Sequence, residues 1–207
     1  GKVPSRLLKY LVDRRRLSFH TGLLTDGYFT LLEAGALNEE VSARACVALG
    51  NAAFYDRLGE VPGIEIAGVD FTHSPVTLGR LDSLIAINSA LEVDLFGQAN
   101  LEFMRGKQVS SVGRAADFSR AARLAVGGKS IIALPATAAG GTQSRIVAQL
   151  SNDHPVSLPR YDIDYVVTEY GVARISDASE AARIQALVEI AAPEFRESLA
   201  RSFRDAG

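Results

Sequence analysis

Few residues in this chain combine a reactive type with a telling position. His20 closes the run Leu17–His20 and stands directly before a loop with two glycines, Thr21 to Gly27. Loops at strand ends are preferred ligand sites in α/β proteins. Asn88 follows the apolar run Leu84-Ile85-Ala86-Ile87. Its amide can donate to an oxygen gathering negative charge, or simply brace a loop through backbone bonds. Glu169 ends the run Ile163–Thr168 and can orient a ligand or accept backbone N–H groups. Gly127-Gly128-Lys129 and Gly140-Gly141-Thr142 offer N–H groups to an anion, each a weak signal alone. Asp94 and Asp117 read as structural acids near loop starts.

Several chemistries are absent from the motif record. His20, His73 and His154 lie far apart and form no HExxH pair, so no metal site is expected. There is no P-loop, no GxGxxG and no GxSxG elbow. Cys46 sits in an apolar run and reads as a small buried hydrophobe. A lone cysteine permits no intrachain disulfide, which points to a reducing, cytoplasmic setting. Arg14-Arg15-Arg16 reads as a solvated surface rather than a phosphate contact.

The elements that must hold these residues follow from pattern. The chain has 207 residues, a net charge of -2, 47% apolar and 22% charged residues. That suits a globular protein with a real core and excludes a disordered chain. The charge balance gives no reason to expect nucleic acid or an anionic membrane as a partner. No apolar run is long enough to span a bilayer, and the first residues are no secretory signal. The lack of an initiator Met suggests a processed chain or an excised fragment.

Pro4 suits a first helical turn, with Leu7, Leu8, Leu11 and Val12 on one face. Buried strands are expected at 17–20, 45–49, 84–88, 130–134, 146–150 and 163–168. Helices are expected at 28–33, 52–58, 119–126, 178–191 and from Pro193 to Phe203. Strands alternating with helices favour an α/β sheet covered by helices. No linker divides the chain, so one domain over 1–207 is expected.

Longer motifs carry a resemblance. The stretch from Ile87 to Asn100, then Asp117-Phe118, Gly127 to Pro135 and Ser144-Arg145-Ile146-Val147 are similar to the acetyl-CoA hydrolase/transferase family. So are Pro159-Arg160, Thr168 to Ala173 and Ile190 to Arg196, in the family's order. The chain resembles the C-terminal domain, which implies a three-layer, CoA-transferase-like (NagB/RpiA-like) α/β fold around a mostly parallel sheet. An N-terminal partner domain or separate subunit is then absent from this chain, and a homo-oligomer is possible. The resemblance implies coenzyme A or an acyl-CoA as substrate, with no tightly bound cofactor. It also implies an acyl-glutamyl anhydride and a glutamyl-CoA thioester as intermediates.

Carried over by position, Asn88 and the Gly113 N–H match thioester-contact positions, and Glu169 matches a supporting active-site carboxylate. His20 enters the same loop, and Gly113, Arg114 and Lys129 are the implied CoA contacts. Two departures stand out. In His20-Thr21-Gly22, Gly22 occupies the position of the family's nucleophilic glutamate. In Gly113-Arg114-Ala115-Ala116, one glycine remains where the family has Gly-Gly-Gln, and Arg114 adds a charge that can meet a carboxylate or a CoA phosphate. Three functions fit: an acyl-CoA enzyme with altered chemistry, a non-catalytic CoA-binding or structural subunit, or a transferase whose nucleophile comes from a partner.

Overall fold

A computed structural model describes residues 7–111 and 113–204. The helix start expected at Pro4 lies outside them. Leu8–Tyr10 form a single 3-10 turn. The chain divides into two compact units, residues 1–80 and 81–207, at a place the sequence does not mark.

The first unit is built on three parallel strands, β1 (Phe19–Leu24), β2 (Ala43–Ala48) and β3 (Ile64–Ile66), in the order β1-β2-β3. Helix α1 (Gly27–Glu33) follows β1, and Gly35 stops it at a φ of 63°. Helix α2 (Ala52–Glu60) begins at Asn51, whose side chain accepts the Phe54 N–H at 2.9 Å. Two short helices, α3 (Val69–Thr72) and α4 (Pro75–Leu78), complete the unit. Phe19, Tyr28, Phe29 and Phe54 meet edge to face and fill its core. Cys46 is half-exposed rather than the buried hydrophobe expected, because it faces away from buried Ala45 on the same strand.

The expected strand at 17–20 and the loop at 21–27 both shift. The extended chain runs on through Gly22 to Leu24. Glycine weakens a strand but permits close approach of a neighbour, and one is present here, as described below.

The second unit is built on a four-stranded sheet and a three-stranded one. Strands β4 (Ile85–Ser89), β5 (Glu92–Asp94) and β6 (Ala99–Asn100) come first, then the hairpin β7 (Phe103–Met104) and β8 (Lys107–Gln108). Helix α5 (Ala115–Leu124) leads to β9 (Lys129–Ala133). A small hairpin, β10 (Thr137–Ala138) with β11 (Gln143–Ser144), precedes β12 (Ile146–Val147). Strands β13 (Tyr165–Thr168) and β14 (Gly171–Arg174) lead to helices α6 (Glu180–Glu189) and α7 (Pro193–Arg204). The larger sheet has the order β14-β13-β9-β4, with only the β13–β14 pair antiparallel. The smaller sheet has the order β12-β5-β6.

The core of this unit gathers the apolar runs read from sequence. Val93, Ile132, Ile146, Leu158, Ile163, Val166 and Leu187 are fully buried. Each such side chain contributes about 1.5–3 kcal/mol over exposure. The result is the expected α/β fold with mostly parallel sheets and helices. The strand expected over 146–150 is only two residues long, because Leu150 leaves the ladder and gives its N–H to Asp94 at 3.4 Å.

Candidate functional site

The candidates divide between the units: His20 lies in the first, and Asn88, Gly113, Arg114, Lys129 and Glu169 lie in the second. Parallel pairing puts the carboxyl ends of β4, β9 and β13 at one sheet edge, since Ser89 faces Ala133 and Val167 faces Ala133. Such an edge is where open α/β sheets take ligands.

Asn88 sits one residue from that edge on β4, half-buried. Its Nδ2 donates to Ser119 Oγ at 3.5 Å, at the limit of a hydrogen bond. The amide is therefore barely committed. Ser119 is fully buried on α5, which packs on β4 and β9. Gly113 lies two residues before the first residue of this helix. Gly113 is exposed with a φ of 55°, a conformation glycine adopts without steric cost.

Two ion pairs fix α5 in place. Arg120 donates to Asp162 at 2.8 Å, and Arg123 pairs with Asp164. Asp164 also accepts the Ser130 N–H of β9 at 2.8 Å, so one carboxylate ties the helix to the sheet. The bond to Asp162 raises the Arg120 guanidinium above its ordinary range.

Arg114 adopts a left-handed φ of 53° and donates through Nε to Asp117 at 2.7 Å. Its charge has a carboxylate partner at the helix start, one of the two partners expected of it. Asp117 thereby takes the structural role expected of it. Asp94 does so too: fully buried, it accepts from the Gln98 N–H and side-chain amide at 2.8 and 2.9 Å.

Glu169 begins the two-residue turn between β13 and β14, just past the carboxyl edge. Its Oε2 accepts the Ala136 N–H at 2.8 Å, bracing the segment that leaves β9. The residue is exposed, and this bond is of the backbone-bracing kind that the sequence reading set beside a ligand-orienting role.

Lys129 does not join this group. It opens β9 opposite Ile85, whereas Asn88 lies opposite Ile132. Three residues of strand separate the two ends by about 10 Å. Its ammonium bonds the Gly128 carbonyl at 3.1 Å, and the Gly128 and Lys129 N–H groups are taken by Ala125 and Leu84. That glycine turn has no spare N–H pair for an anion.

In the first unit, His20 Nε2 donates to the Thr72 carbonyl at 2.7 Å, which assigns the proton to Nε2. Burial, opposed by that carbonyl and aided by nearby Arg44, holds its pKa below the usual imidazole value. His20 is thus neutral at pH 7. Sequence reasoning missed His73. Its Nε2 lies 3.1 Å from where a Cβ on Gly22 would stand, and Cε1 lies at 3.4 Å. Thr72 Oγ1 donates to the Gly68 carbonyl at 3.1 Å, leaving its lone pairs to accept from His73 Nδ1 at 2.8 Å. No spacing in the sequence signals this approach, because Gly22 and His73 are brought together only by α3 packing on β1.

The described residues contain no group of three or more His, Cys, Asp and Glu suited to a metal ion, and no helix long and apolar enough to cross a membrane. The acetyl-CoA hydrolase/transferase C-terminal domain model matches residues 50–203. This chain belongs to that family. The 4-hydroxybutyrate coenzyme A transferase of Clostridium kluyveri is 37% identical over 99% of the chain and 49% of its own length. The succinyl-CoA:cyclohexane-1-carboxylate CoA transferase of Geobacter metallireducens is 38% identical over 99% and 48%. The structure of RipA from Yersinia pestis superposes with a TM-score of 0.91 at 35% identity, covering all of this chain and 48% of that one. The 4-hydroxybutyrate CoA-transferase of Porphyromonas gingivalis gives 0.84 at 35% identity, covering all of this chain and 50% of that one. The chain thus spans about half the length of the family members it matches.

Proposed function

We propose that the second unit holds an acyl-CoA thioester at its carboxyl edge and promotes attack on the carbonyl. The observation that carries this is the barely committed amide of Asn88 at the edge shared with Glu169 and flanked by the start of α5. As a nucleophile adds to the carbonyl carbon, the oxygen takes up negative charge, which the Asn88 N–H and the Gly113 N–H stabilise. When the tetrahedral species collapses, the C–S bond breaks and CoA leaves as a thiolate that picks up a proton. Glu169 keeps one oxygen beyond the Ala136 bond and takes the proton of an attacking water. The products are free CoA and a carboxylic acid. Activity on the scale of the longer relatives requires an N-terminal half, supplied as a domain or a subunit.

Gly22 stands in place of the family's nucleophilic glutamate in this reading, so an acyl-glutamyl anhydride does not form on this chain. The close approach of His73 to Gly22 supports a second reading, a non-catalytic CoA-binding subunit that serves a partner. Incubation with a panel of acyl-CoAs, following free thiol and intact mass, separates the two. Thiol release lost on Asn88→Ala supports the enzyme, and binding without release supports the subunit. A stoichiometric acyl or CoA adduct on this chain contradicts both.

A further inference from the structure

Arg145 lies by the carboxyl edge of the second unit, beside the chain that leaves β4. Its backbone is clamped on both sides: its N–H donates to the Ala136 carbonyl at 2.8 Å, and its carbonyl accepts the Val93 N–H at 2.9 Å. The side chain is half-buried. Its Nη1 donates to the carbonyls of Leu91 at 3.3 Å and Ala90 at 3.5 Å, two long bonds to the segment that follows Asn88 and Ser89. Among the described residues no carboxylate lies within 4.0 Å of its nitrogens. The neighbouring acids are engaged, Glu92 with His154 and Glu169 with the Ala136 N–H.

The pattern of used and unused donors is specific. Nη1 is taken, Nε is buried with no partner, and Nη2 carries no bond. Nε and Nη2 form one side of the guanidinium fork, with two parallel N–H groups that fit the two oxygens of a carboxylate. Next to Ala90, the Ser89 hydroxyl is a second buried polar group without a partner. Leaving a partly buried cation and a buried hydroxyl unanswered costs free energy, and an anionic ligand would remove that cost.

We propose that Arg145, with Ser89, binds the carboxylate of a short-chain organic acid, the acid released from the acyl-CoA or the acid that accepts CoA. This rests on the thioester reading of the same edge. A CoA phosphate is the poorer fit, because the whole pantetheine arm separates those phosphates from the sulfur, and the thioester carbonyl is what Asn88 addresses.

The test measures butyrate and CoA binding to the full chain by NMR titration, for wild type, Arg145→Gln, Arg145→Lys and Ser89→Ala. Butyrate affinity should fall at least tenfold in R145Q, recover in part in R145K and fall less in S89A, with CoA affinity unchanged. Should R145Q fail to fold, the wild-type Arg145 Nε–H resonance still reports, and it should shift on adding butyrate. Butyrate binding that ignores R145Q, or an Nε–H signal that does not move, overturns the proposal. Loss of CoA affinity with butyrate binding intact also overturns it, assigning the fork to a phosphate. Wild type that binds acyl-CoA but no butyrate overturns the Arg145 role alone; wild type that binds neither overturns the thioester reading with it.

Discussion

Replacing Gly22 by alanine puts a Cβ 3.1 Å from His73 Nε2 and 3.4 Å from Cε1, closer than carbon contacts normally come. The His73 ring cannot easily yield, since it is 6% exposed and its Nδ1 is bonded to fully buried Thr72 at 2.8 Å. Overpacking of this kind costs about 1–3 kcal/mol. Alanine regains about 0.5–1 kcal/mol over glycine inside a strand. The net expectation lies between no change and a loss of about 2.5 kcal/mol. In a His73→Ala background the clash is gone, so Gly22→Ala should become neutral or stabilising by about 0.5–1 kcal/mol. The coupling between the two sites is therefore about 1–3 kcal/mol. Urea unfolding of the four proteins in the cycle, followed by circular dichroism, measures it. Additive effects, or Gly22→Ala stabilising the protein with His73 intact, would refute the reasoning. The same geometry predicts that Gly22→Glu alone forms no CoA adduct, whereas Gly22→Glu with His73→Ala has room for the carboxylate.

Asn88→Ala should lower the rate of CoA release about 10²–10³-fold, as loss of an oxyanion donor does. Its melting temperature should move little, because only a 3.5 Å bond is lost. Asp164→Asn should cost about 1–3 kcal/mol in urea unfolding, since it weakens the hold on Arg123 and on the Ser130 N–H together. His20 has a pKa below its unfolded value, so the unfolded chain takes up its proton first as pH falls. Its contribution is complete above the ordinary imidazole value of 6.5 and is lost as pH drops through the lowered one. Unfolding measured from pH 7 to 5 should therefore show a shallower decline for His20→Gln than for wild type.

Strand and helix order in the second unit could be read from sequence because its apolar runs pack where their periodicity says. Ile132 and Val166 are fully buried on the strands expected of them. Strand β3 (Ile64–Ile66) is not among the strands expected from sequence, because three residues are too few for a period to show. The helix expected from 119 begins at Ala115, where left-handed Gly113 and Arg114 turn the chain into it. The positions of Asn88 and Glu169 at the carboxyl edge could be read because each ends an apolar run, which marks a strand's carboxyl end. The sequence puts Lys129 at the start of its strand, but which other strand ends lie beside it depends on the sheet pairing. His73 and Arg145 were not found because their importance lies in what they approach and what they lack, and neither is written in the local chain.

The most direct measurement is a crystal structure of the chain with a non-hydrolysable acyl-CoA analogue that keeps the carbonyl. The account predicts the carbonyl oxygen within about 3.2 Å of Asn88 Nδ2. An analogue bound with its carbonyl away from Asn88, at this edge or elsewhere on the chain, would contradict it.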